Sequence, residues 1–186
     1  YLNNHTIGHL YKELIGRLAA TEITIIVFTP VSNAQDDMGK AIKRLASTTV
    51  ELSSNPHVAA KQIEDANLDF LFYPDIGMSP FTYQLALSRL APVQATSWGH
   101  PSTTGLNTMD YFISSDLIEP EHAQDHYTEQ LVILSRLPTV YEDPAALSVS
   151  SSRHSFDLPE NRLLIGVPQS LFKFHPDFDA ILEEIM

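Results

Sequence analysis

The chain has 186 residues and a mass of 20.8 kDa, with 23 acidic and 11 basic side chains, a net charge of −12 and a pI near 4.9. Hydrophobic residues make up 44% and charged ones 18%, which suits one domain with a core of its own and is not the composition of a disordered tail. The acidic balance disfavours non-specific nucleic-acid binding, and the absence of cysteine excludes a disulfide scaffold, a zinc–thiolate site and a cysteine nucleophile.

In chain order, Tyr1-Leu2 reads as the end of a strand, and Asn3-Asn4-His5-Thr6 supplies capping residues for a helix over Ile7–Ala19 with Ile7, Leu10, Leu14, Ile15 and Leu18 on one stripe. The β-branched run Ile23–Phe28 predicts a buried strand closed by Thr29-Pro30. A helix over Asp36–Ala46, a short strand over Thr48–Leu52 and a helix over His57–Asn67 follow. Leu68–Tyr73 is a second apolar strand, ended by Pro74-Asp75-Ile76-Gly77. Ser79 caps a helix over Pro80–Leu90 with proline at its first position. Strands are expected over Val93–Ser97, Tyr111–Ser114 and Leu131–Leu134.

Residues 142–161 turn to Pro, Ser and acids and read as a linker, after which Leu163–Val167 begins a new strand and a helix follows Pro176. The domains are therefore 1–141, a linker at 142–161, and the start of a second domain at 162–186. The start at Tyr1 and the uncapped helical stretch Asp177–Met186 lead us to expect an interior piece of a longer protein.

Strands separated by helices of 10–15 residues imply βαβ units and a parallel sheet with helices on both faces, an α/β, Rossmann-like architecture. Such a sheet works through loops beyond its strands' carboxyl ends, here Asn3–His5, Tyr73–Ser79 and Trp98–Asn107. No apolar run approaches the roughly 18 residues of a membrane helix, and no signal peptide is visible, so a cytoplasmic protein without a membrane partner is the simplest reading.

Three places can carry chemistry. His5 sits at a helix N-terminus, where free amides favour an anion; its imidazole can act as general base, donate to a phosphate, or merely cap the helix. Ser97-Trp98-Gly99-His100-Pro101-Ser102-Thr103-Thr104-Gly105 offers backbone amides, hydroxyls and a second histidine, or is an ordinary turn. Gln169–Lys173 places a lysine near a helix start, a phosphate partner or a solvated surface residue. The pairs His5/His9 and His122/His126 have ligand spacing, but His-Glu-x-x-His is absent, so no metal is expected. Gly-x-Gly-x-x-Gly, the Walker loop and Gly-x-Ser-x-Gly are absent as well.

These three segments, in this order, resemble the catalytic region of the protein O-linked N-acetylglucosamine transferases, including the SPINDLY-like bacterial members. The resemblance is carried by Asn3-Asn4-His5-Thr6-Ile7-Gly8-His9-Leu10, by Leu90-Ala91-Pro92-Val93-Gln94 with Trp98-Gly99-His100-Pro101 and Thr104-Gly105, by Met109–Asp116, by His126–Leu131, and by Gln169–Pro176. It implies a GT-B fold in which this chain supplies the amino-side catalytic domain and the first βα unit of the nucleotide domain. The implied activity is metal-independent, inverting transfer of N-acetylglucosamine from UDP-GlcNAc to Ser or Thr hydroxyls of an acceptor protein, with no further cofactor. By the same resemblance His5 and Lys173 are catalytic, Lys173 meeting the diphosphate, while His100, Pro101, Thr103, Thr104, Gly105 and Gln169 bind substrate. Gly-His-Pro-Ser-Thr stands where the family has Gly-Tyr-Pro-Gly-Thr, and Gln169-Ser170 where it has Asn-Gln, which leaves a glucose or fucose donor open. A non-catalytic Rossmann-like binding module is the rival reading.

Overall fold

The computed structural model describes residues 1–31, 36–141 and 151–186. The chain divides into two compact units, Tyr1–Asp143 and Pro144–Met186.

The first unit alternates helices and strands: α1 (Thr6–Ala19), β1 (Ile26–Pro30), α2 (Asp37–Leu45), β2 (Thr48–Leu52), α3 (Pro56–Glu64), β3 (Phe70–Tyr73), α4 (Pro80–Ala86), β4 (Val93–Ser97), β5 (Tyr111–Ser115) and β6 (Gln130–Leu134). Every strand pair is parallel, as the βαβ pattern requires. The ladders form two sheets, β1-β2 and β3-β4-β5-β6.

Residue alternation on β3 shows why helices lie on both faces. Leu71 and Tyr73 pack with Ala59 and Ile63 of α3 and with Leu85 and Ala86 of α4. Phe72, between them in sequence, packs with Ile7, Leu10 and Tyr11 of α1 on the opposite side. Leu52, Phe28 and Val50 join the first of these clusters, so both sheets share it.

Short side chains start these helices, Ser79 among them as the sequence predicts. Asp36 accepts from the Gly39 amide, Asn55 from His57 and Ser79 from Thr82. Several ends move. Asn67 takes a left-handed conformation (φ 49°), and α3 stops at Glu64. α4 stops at Ala86 instead of Leu90 because the buried Gln94 side chain takes over the backbone there, donating to the Ser88 carbonyl and accepting from the Leu90 amide. The strand expected at Ile23–Phe28 begins only at Ile26, the first residue with a partner on β2, and it runs through Pro30 at its end, where no ladder donor is needed. Tyr1-Leu2 forms no strand.

The second unit holds a 3₁₀ turn at Arg153–Phe156, another at Leu171–Lys173, and α5 (Phe178–Ile185). Residues 142–150, the first half of the expected linker, lie outside the described residues. The strand expected over Leu163–Val167 is absent: among the described residues no strand pairs with the segment. An apolar run becomes a strand only when a neighbour satisfies its amides and carbonyls. No residue of 151–186 is buried.

Candidate functional site

The loops beyond the carboxyl ends of β3 and β4 meet the N-terminus of α1. Gly99, just after β4, lies so close to the chain that a Cβ there would stand 2.0 Å from the Pro74 carbonyl oxygen and 2.8 Å from Ile7 Cδ1. Gly77, at φ 93°, lets the turn after β3 pass against the His100 ring, whose Cγ would be 2.8 Å from a Cβ. Tyr1 joins the same cluster. Its ring packs on His5 at 4.5 Å between centroids, and its hydroxyl donates to the Met78 carbonyl at 3.1 Å. The Tyr1 backbone nitrogen stands 3.3 Å from the buried carboxylate of Asp75. Thus His5 and His100, 95 positions apart in the numbering, belong to one cluster linked through Tyr1, Met78 and Gly77.

His5 is the N-cap of α1, and its Nδ1 accepts the Ile7 amide at 3.2 Å. A neutral ring accepting at Nδ1 carries its proton on Nε2, so the outward nitrogen is a donor. Nε2 can therefore hydrogen-bond an anion beside the free amides of the helix end. It can act as a base only if the cap to Ile7 is given up. The turn is held by Asp36, whose carboxylate accepts the Asn4 amide at 2.6 Å and the Gly39 amide at 2.7 Å. Those amides, Gly39 first, keep the Asp36 carboxyl below the usual range. His9 Nε2 lies 3.1 Å from Asn4 Oδ1, so this second histidine braces the turn from the exposed side of α1.

His100 is half-buried, and among the described residues neither of its ring nitrogens has a hydrogen-bond partner. Pro101 and Gly105 are exposed. Thr103 and Thr104 turn the other way. The Thr103 hydroxyl donates to Glu129 Oε2 at 2.7 Å, and the Thr104 amide donates to Glu129 Oε1 at 2.8 Å, joined there by the Thr104 hydroxyl. These hydroxyls are used inside the protein. The sequence pattern contained Glu129 but offered no sign of this role, because its partners lie about two dozen positions away.

Other residues of the family-like segments are internal as well. Gln94, fully buried, also donates to the Thr108 carbonyl at 2.8 Å. Asp110 receives both guanidinium nitrogens of Arg89, at 2.7 and 2.9 Å, and the Gln94 amide at 2.8 Å. The Arg89 hydrogen bond leads in holding the Asp110 carboxyl below its ordinary value. Burial pushes the Tyr11 phenol, on the inner face of α1, up to about 12.

Gln169 and Lys173 are exposed residues of the other unit. Lys173 ends the 3₁₀ turn with its Nζ 6.0 Å from the Phe172 ring centroid, and among the described residues it has no ion-pair partner. Gln169 lines a hollow of about 490 Å³ with Val167, Leu171, Phe174 and His175. Among the described residues no group of three or more His, Asp or Glu is placed to hold a metal, and no helix is long and apolar enough to cross a membrane.

A sequence model of glycosyl transferase family 41 matches residues 1–141. Over 188 aligned positions, 94% of this chain and 18% of the relative, the chain is 22% identical to a probable UDP-N-acetylglucosamine–peptide N-acetylglucosaminyltransferase, SEC, of Arabidopsis thaliana. It is 30% identical over 128 positions, 67% of this chain and 20% of the relative, to the UDP-glucose:protein N-beta-glucosyltransferase of Actinobacillus pleuropneumoniae serotype 5b. A mutant O-GlcNAc transferase from Thermobaculum terrenum shares the fold, with a TM-score of 0.63 and 22% identity over 74% of this chain and 26% of that one. The chain spans about a fifth of the length of these curated relatives.

Proposed function

The chain belongs to glycosyl transferase family 41, and from that premise we propose that it is part of the catalytic region of an inverting, metal-independent enzyme that moves N-acetylglucosamine from UDP-GlcNAc to Ser or Thr hydroxyls of proteins. The observation that carries the reading is that His5 caps α1 through Nδ1, which leaves Nε2 as a donor, in one cluster with His100, neither Nε2 of His5 nor the His100 ring having a hydrogen-bond partner among the described residues. In the transfer, the acceptor oxygen bonds to the anomeric carbon from the side opposite UDP, the bond from that carbon to the UDP oxygen breaks, and the hydroxyl proton passes to water, giving the glycoside, UDP and a solvated proton. Negative charge collects on the departing diphosphate, where positioned donors are most effective. His5 Nε2–H and the Lys173 ammonium are the donors for that charge. His100, with a ring nitrogen to spare, lines the acceptor and sugar side with Pro101 and Gly105. Residues 162–186 open the nucleotide-binding domain in this reading, and Gln169 contacts the nucleotide.

A second donor is supported by one specific observation: a relative 30% identical over 67% of this chain is named a UDP-glucose:protein N-beta-glucosyltransferase, while relatives named for UDP-N-acetylglucosamine are 22% identical over 94% of the chain and 45% over 28% of it. The two readings separate in a single experiment. The full-length protein is incubated with acceptor proteins and, in parallel, UDP-GlcNAc, UDP-glucose and GDP-fucose, and the products are mapped by mass spectrometry. An N-acetylhexosamine on Ser or Thr supports the first reading and a hexose on a protein nitrogen the second. No sugar on any acceptor with any donor removes both and leaves the binding module.

A further inference from the structure

Glu129 is 1% exposed, yet among the described residues no cation pairs with its carboxylate. A carboxylate buried without a counter-ion is costly unless its oxygens are saturated with donors. Here they are. Oε1 takes the amide and hydroxyl of Thr104, and Oε2 takes the hydroxyls of Thr103, at 2.7 Å, and Thr128, at 3.2 Å. The Thr103 oxygen in turn accepts the Thr128 amide at 3.1 Å. Burial works to raise this carboxyl, and the Thr104 and Thr103 hydrogen bonds outweigh it, holding the group ionised below the usual range.

The clamp joins two separate pieces of chain. One is the residue pair just before β6, fixed from behind by the Gln124 side chain, which donates to the Glu129 carbonyl and accepts the Leu131 amide. The other is the loop after β4. Beyond the clamp, Gly105 at φ 68° turns the chain so that Leu106 enters the core. On the near side of the clamp, only Ser102 separates Thr103 from Pro101 and His100. At its other end the loop rests on Pro74 through Gly99. The path of His100-Pro101 is thus fixed at two points, of which Glu129 is the polar one.

We propose that Glu129 is a positioning residue that sets where His100 and Pro101 meet the sugar and acceptor. This rests on the glycosyltransferase reading above. It assigns the Thr103 and Thr104 hydroxyls to the clamp and leaves substrate contact to His100, Pro101 and the exposed backbone of the loop.

The test uses steady-state transfer by the full-length enzyme. A misplaced loop acts on the substrate that it touches, and a shift of about 1 Å is enough for a large effect. Glu129→Ala is expected to raise the KM for donor or acceptor about tenfold or more while kcat stays within about threefold, the pattern of lost binding geometry. Glu129→Gln is expected to restore KM to within about threefold, because its amide oxygen can take the Thr104 donors while its NH₂ faces the Thr103 and Thr128 oxygens. If Glu129→Ala does not fold, Thr104→Val, which keeps the amide and removes one donor, is the deciding variant, with KM up about threefold. An unchanged KM in the deciding variant, whether or not kcat falls, overturns the proposal, since loss of folded molecules lowers kcat alone. Failure of the functional reading looks different: the wild-type protein then transfers no sugar, and the proposal falls with it.

Discussion

The two ends of the first unit's strands use polar side chains in opposite ways. At the amino ends of β4, β5 and β6, Gln94, Asp110 and Glu129 are saturated by partners within the unit. Around the carboxyl ends, His5 keeps Nε2 free, and both nitrogens of His100 are unpartnered among the described residues. The residues that resemble a transferase family are thus of two kinds. One set closes the frame, and the other is left with hydrogen-bonding capacity to spend on a ligand.

This contrast can be broken or sharpened by substitution in the full-length protein. The largest effect is expected at Lys173→Ala, with transfer reduced about a hundredfold and the melting temperature unchanged, because an exposed lysine supports no packing. A wild-type rate there would remove the second unit from the chemistry. His100→Ala is expected to cost about tenfold to a hundredfold in transfer, with stability altered by less than about 1 kcal/mol. Gln94→Ala should do the reverse. It leaves the buried Leu90 amide and the Ser88 and Thr108 carbonyls without their partner, at a cost of about 3 kcal/mol in denaturant melts, while transfer per folded molecule is unchanged. A Gln94→Ala protein that melts normally but fails in transfer would reverse the division.

The smallest effect is a pH dependence. Asp110 and Glu129 both bind protons less readily in the folded chain than in the unfolded one. Their contribution is complete above the unfolded carboxyl values, about 4, and is lost as pH falls through the depressed folded values. Melts between about pH 5 and pH 2 should therefore show progressive loss of stability, with a smaller loss in Asp110→Asn. Equal acid sensitivity in the two proteins would show that this carboxylate adds nothing.

Much of this division was legible in the sequence, and the unread part has a physical cause. A helix start was clear where the capping side chain was recognised, as at Ser79, while Asp36 and Asn55 act as caps that the sequence reading did not single out. His5 carried both of its readings from the start; the structure shows the cap, and a cap through Nδ1 is compatible with a donor at Nε2 of the same ring. Ends governed by distant residues were not legible. α4 stops early because Gln94 takes its backbone, and Leu163–Val167 forms no strand although it is as apolar as Leu68–Tyr73. Glu129 was visible only as a letter in a pattern, since a parallel crossover separates it from Thr103 and Thr104.

The most direct measurement is the transfer rate of full-length His5→Asn beside its melting temperature. Asparagine is a good N-cap and can accept the Ile7 amide, but it has no imidazole Nε2 at the anion site. The account predicts transfer lowered about a hundredfold, as at Lys173, with the melt unmoved. Transfer at the wild-type rate would mean that His5 only caps α1, and would contradict it.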